Sequence, residues 1–133
     1  MIKIGVHALT FIGDIENSSI ENCLSKVAKI GYDVMELPLL NPDALDTGFV
    51  SKAYEKFNIE PTVSLGLSYK TDISSEDQDR VKAGKDLLLK ALDKSIFVFF
   101  DDPPPSSRNS LTFVVFIISN EYFLSISCSV LVK

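Results

Sequence analysis

The sequence is poor in the residues from which most metal and redox sites are built. It has one histidine, His7, and two cysteines, Cys23 and Cys128, which lie far apart in the 133-residue chain. One distant cysteine pair provides neither a disulfide framework nor a zinc signature. Cys23 lies in a helix-like stretch, where a small buried thiol is favoured over a catalytic one. The cysteine content therefore predicts a reducing, cytoplasmic setting.

Clusters of positive charge are also absent. The chain has 13 Lys and Arg against 18 Asp and Glu, a net charge of −5. Because nucleic acids and anionic membranes bind clustered basic faces, we expect neither as a partner. Residues 65–68 lack the spaced glycines and the Lys-Ser/Thr pair of a phosphate loop.

Long apolar runs of the targeting or membrane type are lacking as well. The chain begins without a basic region followed by an apolar run, so no secretory signal is expected. The apolar stretch near the carboxyl terminus is interrupted by Asn120 and Glu121, which argues against a membrane span.

What the sequence does contain is a repeated strand-then-helix pattern. Gly31 is placed to end the first helix in a left-handed conformation, and Asn58 is a plausible C-cap of the second. Units of roughly 30 residues in this order predict parallel strands joined by helical crossovers. The predicted strands are 2–7, 32–37 and 60–65, and the predicted helices run from Ser18 or Ser19 to about Ile30, from about Ala44 to Phe57, and from Glu76 to about Lys94.

The sequence changes character after Lys94. Three prolines at 103–105 cannot continue a helix or a central strand, and residues 111–133 are apolar with almost no charge. We therefore predict one α/β domain over 1–94 and a divergent tail over 95–133 that lies outside the native fold and looks like a frameshift or read-through product. The alternative is a buried strand pair with a turn at Asn120.

The most function-like stretch is 61–77. It is predicted as a strand that stops at Gly66, a polar loop, and a helix start capped by Ser74 or Ser75. Ligands of α/β proteins bind at loops that follow the carboxyl ends of strands, so this loop is a candidate binding segment.

Three segments resemble a known family. Residues 3–14, 31–42 and 64–77 resemble the amino-terminal third of the ketose 3-epimerases, the D-tagatose and D-psicose 3-epimerase group of the xylose-isomerase-like TIM barrels. The resemblance covers residues 1 to about 94. It implies a partial (β/α)8 TIM barrel made of the first three βα units, followed by a non-homologous apolar tail.

The resemblance also implies a chemistry. The full-length enzymes bind one divalent metal, usually Mn2+ and sometimes Co2+ or Mg2+, through two glutamates, an aspartate and a histidine. The two glutamates exchange the proton at carbon 3 of a ketose sugar through an enediolate. These residues lie on later strands and have no matching positions here, so we expect no catalytic residue, no metal ligand, no cofactor and no activity in this chain.

What carries over is one wall of a sugar pocket. His7 matches a pocket-lining position that is usually aromatic, and Phe11 matches a loop aromatic that packs against substrate. Ser64 matches a pocket position on the third strand, and Gly66 would give a close backbone approach beside it. These four residues are the predicted substrate-binding residues.

Several alternatives stay open at this point. His7 could instead bind a metal or simply pack, and Glu36 could support the mouth of the barrel or act in the pocket. Asp14 and Glu16 fit a solvated loop better than an acid/base pair. A different class of function is a non-catalytic α/β fragment that forms a homo-oligomer, or binds a partner, through the open edge of the third strand.

Overall fold

The computed structural model describes residues 2–99, 111–119 and 122–130, the last two segments by their backbone. The predicted βαβαβα order is confirmed. The three prolines at 103–105 and the predicted turn residue Asn120 lie outside the described residues. The elements are β1 (Gly5–His7), α1 (Asn17–Ile30), β2 (Val34–Pro38), α2 (Thr47–Phe57), β3 (Glu60–Ser64), α3 (Gln78–Phe99), β4 (Leu111–Ser119) and β5 (Tyr122–Val130), with 3-10 turns at Ala8–Thr10, Pro42–Ala44 and Tyr69–Thr71.

The first three strands form a parallel sheet in the order β1-β2-β3. Its register places His7 beside Glu36, and Glu36 beside Thr62. Further along, Pro38 pairs with Ser64. Because side chains alternate between the two faces of a strand, these residues share one face of the sheet.

The opposite face of the sheet carries the core. Met35 and Leu37 are fully buried and Val63 nearly so. They join the apolar faces of the helices in a single cluster, which excludes water and stabilises the fold by roughly 25 cal/mol per Å² of apolar surface buried. The buried residues of the first two helices are Ile20, Cys23, Leu24, Val27, Val50, Ala53 and Tyr54.

The ends of the first two helices follow the sequence, but the helix starts do not. Gly31 (φ 97°) adopts the predicted left-handed C-cap conformation, and Asn58, the predicted C-cap of α2, is left-handed as well (φ 53°). Helix α1 begins at Asn17 rather than at Ser18 or Ser19, with Glu16 at the N-cap and no side-chain cap hydrogen bond. Ile30, the last residue of α1, is exposed.

The second helix also starts later than predicted. Pro42–Ala44 forms a separate 3-10 turn, and the Asp46 carboxylate then caps α2 by accepting a hydrogen bond from the Phe49 amide at 3.0 Å. Phe49 and Phe57 on this helix are only partly buried. Val50, Ala53 and Tyr54 form its buried face, and the Tyr54 hydroxyl donates to the Met35 carbonyl at 3.1 Å.

The third helix differs from the prediction at both ends. It begins at Gln78, where the Asp77 carboxylate accepts from the Asp79 amide at 3.0 Å, so neither predicted serine caps it. It continues past Lys94 to Phe99, and it buries Ser95 and Val98 against the core. The boundary predicted at 94/95 therefore falls inside a continuous helix, while the placement of the later tail outside the native fold stays a prediction.

Strands β4 and β5 form an antiparallel pair that is separate from the first sheet, with Ser119 opposite Tyr122. This is the strand pair of the alternative interpretation of the tail. Within the described residues, no helix combines the length and hydropathy that a membrane crossing needs.

Candidate functional site

The predicted site residues lie where the parallel strands end. His7 is the last residue of β1 and Ser64 is the last residue of β3. On the same face, a cavity of about 300 Å³ is open to solvent. It is lined by Gly5, Val6, His7, Val34, Glu36 and Thr62.

A larger cavity of about 620 Å³ lies at the opposite, amino-terminal end of the strands. It is lined by the ends of the first two helices, at Gly31 and Asn58, and by the ion pair of Lys3 with Glu60. In barrel proteins this end of the sheet contributes stability and the other end binds ligands. The smaller cavity runs along the inner face and reaches a carboxyl strand end at His7, so it is the candidate functional site.

His7 is held in one orientation by a backbone contact. Its Nδ1 accepts a hydrogen bond from the Leu9 amide at 3.1 Å, so in the neutral ring the proton lies on Nε2. Nε2 is 3.5 Å from Oε1 of Glu36, a distance longer than a normal hydrogen bond. The two side chains thus face each other with the Nε2 proton directed at the carboxylate.

Glu36 is the site residue that the resemblance did not assign. Its Oε1 is buried and has no hydrogen-bond partner among the described residues. The whole side chain is still 25% exposed, so the remaining exposure belongs to its other atoms. A buried carboxylate oxygen that accepts no hydrogen bond is unusual in a folded protein and requires an explanation.

The other predicted wall residues have mixed surroundings. Ser64 is 6% exposed, and its carbonyl accepts from the Leu39 amide at 2.7 Å, which ties the ends of β2 and β3 together. Phe11 is half-buried and packs against the core. Gly66 is exposed, and an added Cβ there would meet no atom of the described residues within 4 Å. The structure brings His7 and Ser64 to one face, with β2 between them, while their roles toward a substrate stay predictions.

The loop within 61–77 is built by its own hydrogen bonds. Ser68 and Thr71 cap the 3-10 turn reciprocally, and the Asp72 carboxylate accepts from both the hydroxyl and the amide of Ser74. The Ser74 hydroxyl bond, with the amide bond second, holds the pKa of Asp72 below its usual value. The Arg80 guanidinium lies 3.9 Å from the centroid of the Tyr69 ring, so the loop rests on α3.

Cys23 and the loop pair of Asp14 and Glu16 are placed as the sequence predicts. Cys23 is fully buried, and that burial raises the pKa of its thiol. Asp14 and Glu16 are both exposed on their loop. No group of three or more His, Cys, Asp or Glu side chains in the described part of the chain is placed to bind a metal. These residues therefore do not fit the metal set that the resemblance implies.

Comparisons with known proteins agree on one group. No family model matches the chain. The ketose 3-epimerase of Arthrobacter globiformis is 38% identical over 92 residues, which is 69% of this chain. The L-ribulose 3-epimerase of Methylomonas sp. (strain DH-1) is 35% identical over 92 residues.

Solved structures give the same result. The D-allulose 3-epimerase from Methylomonas sp. in complex with D-allulose superposes with a TM-score of 0.69 at 33% identity, covering 73% of this chain and 34% of that one. The structure of an L-ribulose 3-epimerase gives 0.69 at 25% identity. The chain spans about one third of the length of the relatives it matches.

Proposed function

The chain matches the ketose 3-epimerases in sequence and in fold as an amino-terminal third of a TIM barrel, and from this we propose that it supplies one wall of a ketose-binding pocket. The full barrel would epimerise a ketose at carbon 3, with Mn2+, Co2+ or Mg2+ bound by residues of later strands. His7, Phe11, Ser64 and Gly66 are the proposed substrate contacts. A cytoplasmic location is part of the same proposal.

One observation carries this proposal. The side chains of His7, Glu36 and Thr62 lie in a row on one sheet face and line a cavity that runs along this face from the strand starts at Gly5 and Val34. Of the four proposed contacts, His7 lines this cavity, and it is the last residue of β1. TIM-barrel enzymes place their active sites at the carboxyl ends of their strands. The relatives that share the fold are 3-epimerases of ketoses, which supplies the substrate class.

The 133-residue chain by itself is proposed to be inactive. The described residues provide two facing polar side chains, His7 and Glu36, but no third ligand for a metal. A two-residue set does not hold a catalytic metal, which takes at least three protein ligands in the common catalytic sites. No reaction step is therefore assigned to the side chains of this chain.

A chimera tests whether these βα units are epimerase units. Residues 1–94 of this chain replace the matching third of the D-allulose 3-epimerase from Methylomonas sp.. We expect the chimera to epimerise D-allulose in the presence of Mn2+, because the grafted sheet presents the same pocket wall to the remaining strands. Turnover is measured by chromatography of the sugar products.

The control is the full 133-residue chain, assayed under identical conditions with and without Mn2+. It is expected to give no turnover. A folded chimera without activity would contradict the proposed pocket wall, and turnover by the chain alone would contradict the proposed inactivity.

A second candidate function is association through the sheet edge. Among the described strands, β3 forms backbone pairs with β2 only, and β4, which pairs with β5 in a separate sheet, lies close to β3 without pairing with it. Pro61, which lacks a backbone donor, lies within β3, and proline in a sheet is typical of edge strands. An unpaired edge offers backbone donors and acceptors to a second chain.

Size-exclusion chromatography with light scattering tests this candidate. If the edge associates, the measured mass of the purified chain rises with concentration, and the β3 amides become protected from hydrogen exchange in the larger species. A compact monomer at every concentration would count against association.

A further inference from the structure

Glu36 lines the cavity but is not among the proposed substrate contacts. Glu36 lies in the middle of β2, between His7 on β1 and Thr62 on β3. Burying a carboxylate in a strand interior that faces the core or a pocket costs free energy unless the group is hydrogen-bonded. The described residues supply no hydrogen bond to its Oε1.

The geometry around Glu36 is set by its neighbour. The Leu9 amide occupies Nδ1 of His7, so the ring can donate only from Nε2, and that nitrogen lies 3.5 Å from Oε1. A small rotation of the ring would complete a hydrogen bond to Oε1. The ring would then have no free nitrogen, and it would present its face and edge to the cavity.

The second oxygen of Glu36 would then remain as a free acceptor. Thr62 lies on the next strand in register, and neighbouring strands are about 4.8 Å apart, so its hydroxyl lies within reach of the same ligand. An ionised carboxylate accepts hydrogen bonds only, and a threonine hydroxyl both donates and accepts. Together they match a ligand with adjacent hydroxyl groups.

We propose that Glu36 is a ligand-binding carboxylate that, with Thr62 beside it and His7 as its positioning residue, recognises hydroxyl groups of a polyhydroxylated ligand in this cavity. The proposal rests on the proposed function, because it names contacts in the same pocket. It changes the role of Glu36 from support of the barrel mouth to selection of the ligand. The cavity of about 300 Å³ lies at the lower end of the range for small-molecule sites, which suits a ligand of sugar size.

A metal and an ammonium ligand fit these residues less well. The described part of the chain brings no third His, Cys, Asp or Glu to the pair, so a cation would lack ligands. The His7 Nε2 proton also points toward the same carboxylate, which disfavours a positive charge there. A neutral ligand with O–H donors suits the Glu36 carboxylate and the Thr62 hydroxyl.

The test is a binding titration of the full 133-residue chain with D-allulose, followed by amide chemical shifts in 15N–1H spectra. The wild-type chain is expected to show saturable shifts at Leu9 and in β2. Glu36→Gln keeps the size of the side chain but replaces the carboxylate with a weaker acceptor. It is expected to weaken binding about tenfold.

The matched control is Glu21→Gln. Glu21 lies on α1, where it pairs with Lys56 at 2.7 Å, away from the cavity. Glu21→Gln makes the same chemical change away from the cavity, so it is expected to leave the affinity for D-allulose unchanged. Circular dichroism verifies that both variants are folded.

A ligand-side arm keeps the proposal falsifiable even if Glu36→Gln does not fold. Singly deoxygenated ketoses are titrated into the wild-type chain, where removal of the recognised hydroxyl should cost about tenfold in affinity. In a folded Glu36→Gln the same removal should cost nothing further, as a double-mutant cycle requires.

Three outcomes overturn the proposal: equal affinity of the folded Glu36→Gln and the wild type, a deoxygenated series with uniform affinity, or no saturable binding of D-allulose. None of them decides the proposed function, which is tested by turnover of the chimera. Conversely, an inactive chimera would not remove a binding site that the titration finds in this chain.

Discussion

Gly84→Ala is expected to lower the free energy of unfolding by about 1–3 kcal/mol, as overpacking in a close contact does. A Cβ added at Gly84 would overlap the carbonyl oxygen of Thr71 and would lie 2.6 Å from Cγ2 of Ile73. Backbone cannot rotate away as a side-chain tip can, so either α3 or the loop after β3 must shift. The loss should exceed the gain in helix propensity, about 1 kcal/mol, that alanine brings.

The same substitution should disturb the candidate binding loop. The loop is held on α3 by Gly84 and by the stacking of Tyr69 on Arg80. We therefore expect weaker hydrogen-exchange protection at the Thr71 amide, which donates to the Ser68 carbonyl, in Gly84→Ala. Urea denaturation gives the free energy of unfolding.

Gly48→Ala is the matched control for this prediction. Gly48 also lies in a helix, but its added Cβ would meet only Asp46 Oδ1, at an ordinary 3.7 Å. It should leave stability unchanged or raise it slightly. Equal stability of the two variants would show that the contact between α3 and the loop is looser than the structure has it.

Tyr54 is expected to make the fold sensitive to alkaline pH. Its side chain is almost fully buried and donates to the Met35 carbonyl. Burial, with the nearby charges of Cys23 and Glu36 adding to it, raises the pKa of Tyr54 far above its ordinary value of 10.0. The folded protein therefore retains this proton while the unfolded chain releases it above pH 10.

The sign of the effect follows from proton binding. Above pH 10 the unfolded state binds fewer protons than the folded state, so the free energy of unfolding falls as pH rises. One such group contributes about 1.4 kcal/mol per pH unit. Below pH 10 the contribution of Tyr54 is fully present and does not vary.

Tyr54→Phe isolates this contribution. The variant should lose about 1 kcal/mol at neutral pH, because the hydrogen bond to Met35 is removed. Its free energy of unfolding should also fall less steeply with rising pH than that of the wild type. The contribution of Cys23, whose pKa is also raised by burial, remains in both proteins. Urea titrations between pH 8 and pH 11 measure the difference.

Tyr69→Phe serves as the comparison, since it removes the hydroxyl of an exposed tyrosine. It should follow the wild-type curve. Parallel alkaline slopes for wild type and Tyr54→Phe would show that Tyr54 ionises equally easily in the folded and unfolded chain.

Local signals in the sequence predicted the features that depend on neighbouring residues. Gly31 and Asn58 end their helices as expected, because a left-handed residue after an apolar stripe is a local backbone preference. The order of strands and helices followed from hydrophobic periodicity. The resemblance identified the barrel units and the relatives that the comparisons found.

The helix starts and the extent of α3 required tertiary contacts. Serine was a plausible cap at several positions. Instead, the carboxylates of Asp46 and Asp77 accept hydrogen bonds from backbone amides at the starts of α2 and α3. Packing fixes where each helix begins. Helix α3 extends beyond Lys94 because Ser95 and Val98 find buried positions against the core.

For the candidate site as well, some features followed from the sequence and others only from the tertiary structure. The sequence by itself determined that His7 ends the first parallel strand and that Ser64 lies next to the end of the third, since strand ends depend on local composition. Only the tertiary structure decided that Glu36 faces His7 with an unpartnered oxygen, because register between strands depends on how the sheet packs on its helices. The residues next to Glu36 in the sequence give no local sign of which residue on the neighbouring strand it will face.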